Sequence, residues 1–269
     1  MSAARVVLWR HGRTAYNHQG RFQGQQDVPL DDVGTAEAEA AAAVLAHRLA
    51  GSAPVRLITS DLSRAWMTAD ALARRLGLGA ERDPALREIA AGAWEGLSRD
   101  EIDRRWADEH AAWRRGEDIR VGGGERRSEA AQRTADAVRA GVAGLDAGTL
   151  VVVSHGASLR GALALLLGTP GPGAGADSGR HDPFAVLRNA HWAELEVMTG
   201  PWRLVAYNVG VMDAPADHEP GDTADVEEQG GDRPDAGIAA APPDGAPGRD
   251  LEPAGVARVD SPGREDGGQ

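Results

Sequence analysis

The chain has no cysteine among its 269 residues, which excludes disulfides, thiolate nucleophiles and cysteine-ligated zinc. It has no lysine either, so all 29 basic residues are arginine. Together with heavy alanine and glycine use, this bias reads as that of a GC-rich genome, and arginine abundance alone signals no function. No apolar run approaches the roughly 18 residues of a membrane span. The first apolar run is flanked by Arg5 and Arg10 and is too short for a signal peptide. No membrane association is expected, and the cytoplasm is the default compartment. HExxH and EF-hand spacings are also missing, so neither a metal nor another cofactor is expected.

Charge is unevenly spread. The net charge is -12, and Asp213 to Gln269 alone holds 15 acidic and 4 basic residues, which leaves -1 for residues 1–212. The same 57 residues contain 18 glycines and prolines and no aromatics, too little apolar surface to offset the entropy of ordering. The expectation is a folded domain over 1–212 and a disordered acidic tail over 213–269. Nucleic acid is not expected as a partner for such a charge balance.

Within 1–212 the informative feature is a pair of histidines in one local setting. Arg5-Val6-Val7-Leu8-Trp9 runs into Arg10-His11-Gly12, and Thr149-Leu150-Val151-Val152-Val153 runs into Ser154-His155-Gly156. Each is a β-prone apolar run, then histidine, glycine and a helical stretch. In an open α/β sheet, ligands bind at the carboxyl ends of the strands, so two such histidines can meet although 144 positions separate them. Gly12 would let the backbone approach a ligand, and the amides of the turn through Arg13 and Thr14 could receive an anion. Arg64, in the first turn of a helix after the strand Val55–Thr59, opposes the helix dipole and makes more sense beside an anion. A carboxylate follows at Glu88, with Glu95 as a competitor. Further elements are a helix to Leu49 capped by Asp31 or Asp32, and a helix Leu62–Leu76 with Ser60-Asp61 as its cap signal. An extended segment is expected over Ala80–Leu86. A helix capped by Ser98 follows, then a hinge-like loop Gly122–Gly124, a helix of about Ser128–Leu145, and a late hairpin of His191–Met198 with Trp202–Val209.

The order Arg10-His11-Gly12, Ser60-Asp61-Leu62-x-Arg64-Ala65, Leu86-x-Glu88 with Trp94-Glu95-Gly96, Gly123-Gly124-Glu125 and Val153-Ser154-His155-Gly156 resembles the histidine phosphatase superfamily, the phosphoglycerate-mutase-like proteins. The resemblance spans about residues 5–208. It implies an α/β fold, a three-layer α/β/α sandwich with a mostly parallel central sheet, and no cofactor. It implies that His11 is the nucleophile, that Arg10, Arg64 and His155 hold the phosphoryl oxygens, and that Glu88 is acid and base. Asn17, Gln23 and Glu125 fall where the family often adds contacts near the phosphate. Arg13 and Arg126 depart from the family's usual residues and could alter specificity. Tyr16-Asn17, Gln23-Gly24-Gln25 and Asn189-Ala190-x-Trp192 are similar to the family's actinobacterial glucosyl-3-phosphoglycerate phosphatases.

The chemistry is consistent with this. Phosphoryl transfer asks for positioning and charge stabilisation, which arginine forks supply. A neutral imidazole is a competent nucleophile if its other nitrogen donates to a carbonyl, and a carboxylic acid must protonate the departing alkoxide. The expected partner is a small phosphorylated substrate. The alternatives are a phosphoglycerate mutase and a non-catalytic protein binding through its acidic tail. A second acidic group on the substrate could be met by Arg99, Arg104, Arg105, Arg114, Arg115 or Arg120. The late hairpin could support a homodimer. His181, in the Gly/Pro-rich loop Gly168–Pro183, reads as solvated.

Overall fold

The computed structural model describes residues 4–51, 54–143, 145, 147–171 and 184–211, all in one compact unit. Most of the Gly168–Pro183 loop, His181 included, and the tail 213–269 lie outside the described residues.

The fold is the expected α/β/α sandwich. Strands β1 (Arg5–Arg10), β2 (Val55–Thr59), β3 (Glu81–Arg82), β4 (Thr149–Ser154), β5 (Trp192–Glu196) and β6 (Arg203–Val209) form one sheet in the order β3-β2-β4-β1-β5-β6. The four strands from β3 to β1 run parallel, and the late hairpin adds β5 and β6 antiparallel. Side chains alternate between two apolar layers, as strand geometry requires. Val7, Trp9, Leu57, Val151 and Val153 pack on helices α2 (Asp32–Leu49) and α3 (Ser63–Leu76). Val6, Leu8, Ile58, Leu150 and Val152 face α5 (Arg127–Val142) and α6 (Gly156–Leu166). Burial on both faces explains why β1 and β4 read as continuous apolar runs rather than alternating ones. A short α1 (Ala15–His18) follows β1, and α4 (Arg99–Arg114), kinked at Trp106, carries a separate aromatic cluster.

Local signals succeeded where the partner was near in sequence. Asp31 caps α2 through Gly34 N, and Ser98 forms a reciprocal capping box with Glu101. They failed where it was distant. The helix expected from Leu62 begins at Ser63, and its first N–H is satisfied by the Asp27 carboxylate at 2.6 Å rather than by Ser60 or Asp61. The extended segment expected over Ala80–Leu86 shortens to Glu81–Arg82, because Pro84 and the Asp83 cap on Ala85 N set a 3-10 turn at Pro84–Leu86. The Gly122–Gly124 loop is packed rather than hinge-like: a Cβ on Gly122 would lie 2.3 Å from the Ala91 carbonyl oxygen and one on Gly124 2.0 Å from that of Ala90.

Candidate active site

Three adjacent parallel strands end at the same level. Arg10 pairs with Ser154 and Thr59 with Val153, and the ladder continues one residue past the strands through His11 N to Ser154 O at 3.0 Å and Ser60 N to Val153 O at 2.9 Å. His11, His155 and Ser60 therefore emerge side by side. The two imidazole centroids are 5.2 Å apart, and both rings are buried.

The hydrogen bonds fix both tautomers. His11 Nδ1 stands 2.7 Å from Gly12 O, which can only accept, so Nδ1 carries the proton and Nε2 keeps its lone pair. Arg64 Nε donates to His155 Nδ1 at 3.1 Å, so the His155 proton sits on Nε2, 2.9 Å from Ser60 Oγ. Burial first, then the Arg64 and Arg10 charges, hold His11 well below the ordinary histidine pKa against the smaller opposing effect of Gly12 O. His155 is lowered in the same way, by burial, then Arg64, His11, Arg133 and Arg10. Arg64 also donates to Gln26 O and Gly24 O, both at 2.8 Å, and Arg10 to Leu187 O at 2.7 Å, so both cations are oriented by backbone carbonyls.

Glu88 is gripped by the start of α6. Its Oε1 accepts from Ile89 N, Ser158 N and Ser158 Oγ at 2.8–2.9 Å, and Oε2 accepts only from Ala157 N at 3.1 Å. The segment around Glu88 is held from behind by Arg133. Its Nε and Nη2 meet the two Glu125 oxygens, Nη1 donates to Ala85 O and Arg87 O, and Nη2 also donates to Glu88 O, so all five N–H groups of the guanidinium are used. Glu125 also accepts from Ala90 N at 2.8 Å.

These groups border a cavity lined by Arg10, His11, Asn17, Gln23, Arg64 and Glu88, among others. The remaining wall comes from Phe22, Ile89, Ala91, Trp113, Val121 and Arg127. Gln23 Oε1 is buried with no hydrogen-bond partner. Asn17 Oδ1 accepts from Thr14 N and Asn189 Nδ2, which fixes the orientation of its amide.

Several expected roles are relocated. The turn amides are not open to an anion: Gly12 N donates to Thr68 Oγ1, Arg13 N to Glu37 and Thr14 N to Asn17. A Cβ on Gly12 would lie 2.3 Å from the Gly34 carbonyl oxygen, so glycine there admits α2 rather than a ligand. Thr14 caps α1, and neither Thr14 nor Gly156 lines the cavity. Glu125 is turned to Arg133 and Ala90 and does not line it either. Arg13 pairs with Asp31 at 3.0 Å, and Arg126 bonds the Asp118 carbonyl, so both departures face away. None of the six arginines between Leu97 and Gly122 borders the cavity; Arg21 and Arg127 do. Among the described residues no cluster of three or more His, Asp or Glu side chains is arranged to hold a metal, and no helix is long and apolar enough to cross a membrane.

The profile of the histidine phosphatase superfamily (branch 1) matches residues 6–210. The chain belongs to that superfamily. It is similar to the glucosyl-3-phosphoglycerate phosphatase of Mycobacterium tuberculosis, 36% identical over 221 residues that cover 79% of this chain and 97% of the relative. The protein of the same name from Mycolicibacterium vanbaalenii is 39% identical over 178 residues, covering 63% and 77%. The solved structure of the mycobacterial glucosyl-3-phosphoglycerate phosphatase with VO3 matches with a TM-score of 0.68 and 35% identity, over 77% of this chain and 99% of that one. The chain is an enzyme of the phosphatase class, and its superfamily also includes a probable phosphoglycerate mutase of Yersinia pestis, 32% identical over 73% of this chain and 86% of the relative.

Proposed function

We propose that the protein hydrolyses a phosphomonoester through phosphohistidine on His11, with glucosyl-3-phosphoglycerate as substrate. The observation that carries the mechanism is the His11 tautomer: Nδ1–H held by Gly12 O, Nε2 bare, and Arg10, Arg64 and Glu88 on the same cavity. Nε2 attacks phosphorus as the P–O bond to the alcohol breaks. Arg10 and Arg64 neutralise the equatorial oxygens, Asn17 and Gln23 add polar contacts, and His155, keeping its proton, redirects the Nε2–H hydrogen bond from Ser60 Oγ to a phosphoryl oxygen. Glu88 gives its proton to the departing alkoxide from Oε2, the oxygen with fewer donors. A water then attacks the phosphohistidine, Glu88 takes back a proton, and inorganic phosphate leaves with His11 restored.

The named relatives support the substrate, as does the aromatic wall of the cavity. The cytoplasm is the corresponding compartment. Purified protein should release inorganic phosphate from glucosyl-3-phosphoglycerate and, quenched during turnover, carry acid-labile phosphate on histidine. His11→Ala should lose the label and about 10³-fold or more in turnover. Near-normal turnover in that variant would sink the reading. Conversion of 3-phosphoglycerate to 2-phosphoglycerate faster than phosphate release would favour a mutase instead.

A further inference from the structure

The carbonyl that holds the His11 proton belongs to a peptide bonded at both ends. His11 Nδ1–H donates to Gly12 O at 2.7 Å, and the N–H of the same peptide unit, that of Arg13, donates to Glu37 Oε2 at 2.8 Å. Close packing of α2 brings the carboxylate there. A Cβ on Gly34, in the first turn of α2, would lie 2.5 Å from Arg13 N, so only glycine lets the helix rest on the Gly12–Arg13 peptide. Glu37 follows three residues later. On the other side Gly12 N donates to Thr68 Oγ1 at 3.1 Å, and Thr68 Oγ1 donates to Arg64 O at 2.8 Å. Imidazole, peptide and carboxylate thus form one hydrogen-bonded row. His191 has the neutral counterpart: its Nδ1 lies 2.9 Å from Asn189 O, and the N–H of that peptide, Ala190 N, donates to the carbonyl of His11 at 3.1 Å.

Attack by His11 Nε2 forms the N–P bond as the P–O bond to the alcohol breaks, and the alcohol takes its proton from Glu88. The phosphorylated ring keeps Nδ1–H, so it becomes cationic where the free ring was neutral. A carboxylate on the N–H end of a peptide polarises the group and makes its carbonyl oxygen a stronger acceptor. That gain is largest once the ring is charged. We propose that Glu37, acting through the Gly12–Arg13 peptide, is a positioning residue that stabilises the phosphorylated His11 ring. No proton passes to Glu37. The carboxylate of a catalytic triad does the same for its histidine by direct contact. The proposal rests on the phosphohistidine reading above and names the charge that balances its intermediate.

Glu37→Gln tests it, because the amide keeps an oxygen acceptor for Arg13 N and removes only the charge. A residue that merely tethers the loop would be replaced without loss. The variant should instead lower kcat/KM about 5- to 30-fold, equally for an alkyl phosphate and for 4-nitrophenyl phosphate, since the nucleophile and not the leaving group is affected. Inhibition by inorganic phosphate should stay within about twofold, because the ring gains charge only when the N–P bond forms. The NMR resonance of the His11 Nδ1–H proton should lie downfield of that of His191 in the wild type and move towards it in the variant. A kcat/KM within about twofold of wild type overturns the proposal, as does a loss confined to the alkyl phosphate. If the variant does not fold, a wild-type His11 proton no further downfield than that of His191 overturns it instead. Wild-type protein that carries no phosphate on histidine during turnover overturns the phosphohistidine reading, whereas a labelled wild type with undiminished activity in Glu37→Gln overturns only the role of Glu37.

Discussion

The cavity has two parts built by different rules. Its floor, with His11, Arg64 and Glu88, stands on strand ends and helix starts, and each of these side chains has a backbone partner; His155 does not line the cavity and is held beside His11 by the Arg64 and Ser60 side chains. Its wall, with Phe22, Trp113, Val121 and Arg127, is set on loops and on the ends of α4 and α5 and is held by ring packing. In the proposed reaction the floor holds the reacting atoms, so its substitutions should act on kcat, and the wall meets the leaving group, so its substitutions should act on KM and on substrate ratios.

The largest effect that would separate the two parts is expected at Glu88. Glu88→Gln should cut kcat for an alkyl phosphate about 10²- to 10⁴-fold. The loss should shrink for 4-nitrophenyl phosphate, whose leaving group needs no proton, and an equal loss on both substrates would remove Glu88 from the acid role. Arg133 sharpens the comparison, since it does not line the cavity yet holds the Glu88 segment by three hydrogen bonds to Ala85 O, Arg87 O and Glu88 O, and Glu125 by two more. Arg133→Met should lower kcat about 10- to 100-fold with KM little changed, and Arg133→Lys should rescue poorly because an ammonium cannot reproduce the fork. A change confined to KM would assign Arg133 to the wall.

The smallest effect is in stability. His11 and His155 have folded pKa values well below the ordinary 6.5. Below that pH the unfolded chain takes up protons that the folded one refuses, so stability should fall as pH drops, by about 1.4 kcal/mol per pH unit for each histidine until the folded value is reached. Urea midpoints between pH 7 and 5.5 read this directly. The slope should flatten in His155→Asn, and an unchanged slope would mean that the floor is not charge-excluding.

The same division decides what was legible in the sequence. Strand ends announce themselves: a β-branched run followed by His-Gly places a side chain on the rim, and register does the rest. Arg64 was legible because its position conflicts with the helix dipole. The wall was not, because Phe22, Trp113 and Arg127 come from unrelated segments with no shared spacing, and Arg127 looks like any exposed arginine at a helix start. Arg133 was invisible for a similar reason: mid-helix arginines are usually solvated, and only the tertiary structure brings Ala85 O and Glu125 to it. Asn189, which donates to His11 O and Asn17 Oδ1, stood in a recognised motif, but its motif carried no hint of that geometry. The turn amides misled because Glu37 and Thr68, which occupy them, lie on other helices.

One mount serves two chemical tasks. His155 is the cap residue of α6, and the next amides of the same turn, Ala157 and Ser158, clasp Glu88. The proposed proton donor and oxyanion partner are therefore both fastened to the first turn of one helix. New specificities can accumulate on the opposite wall while this assembly keeps its calibration; damage to the first turn of α6, by contrast, would silence both tasks together rather than wear them down in turn.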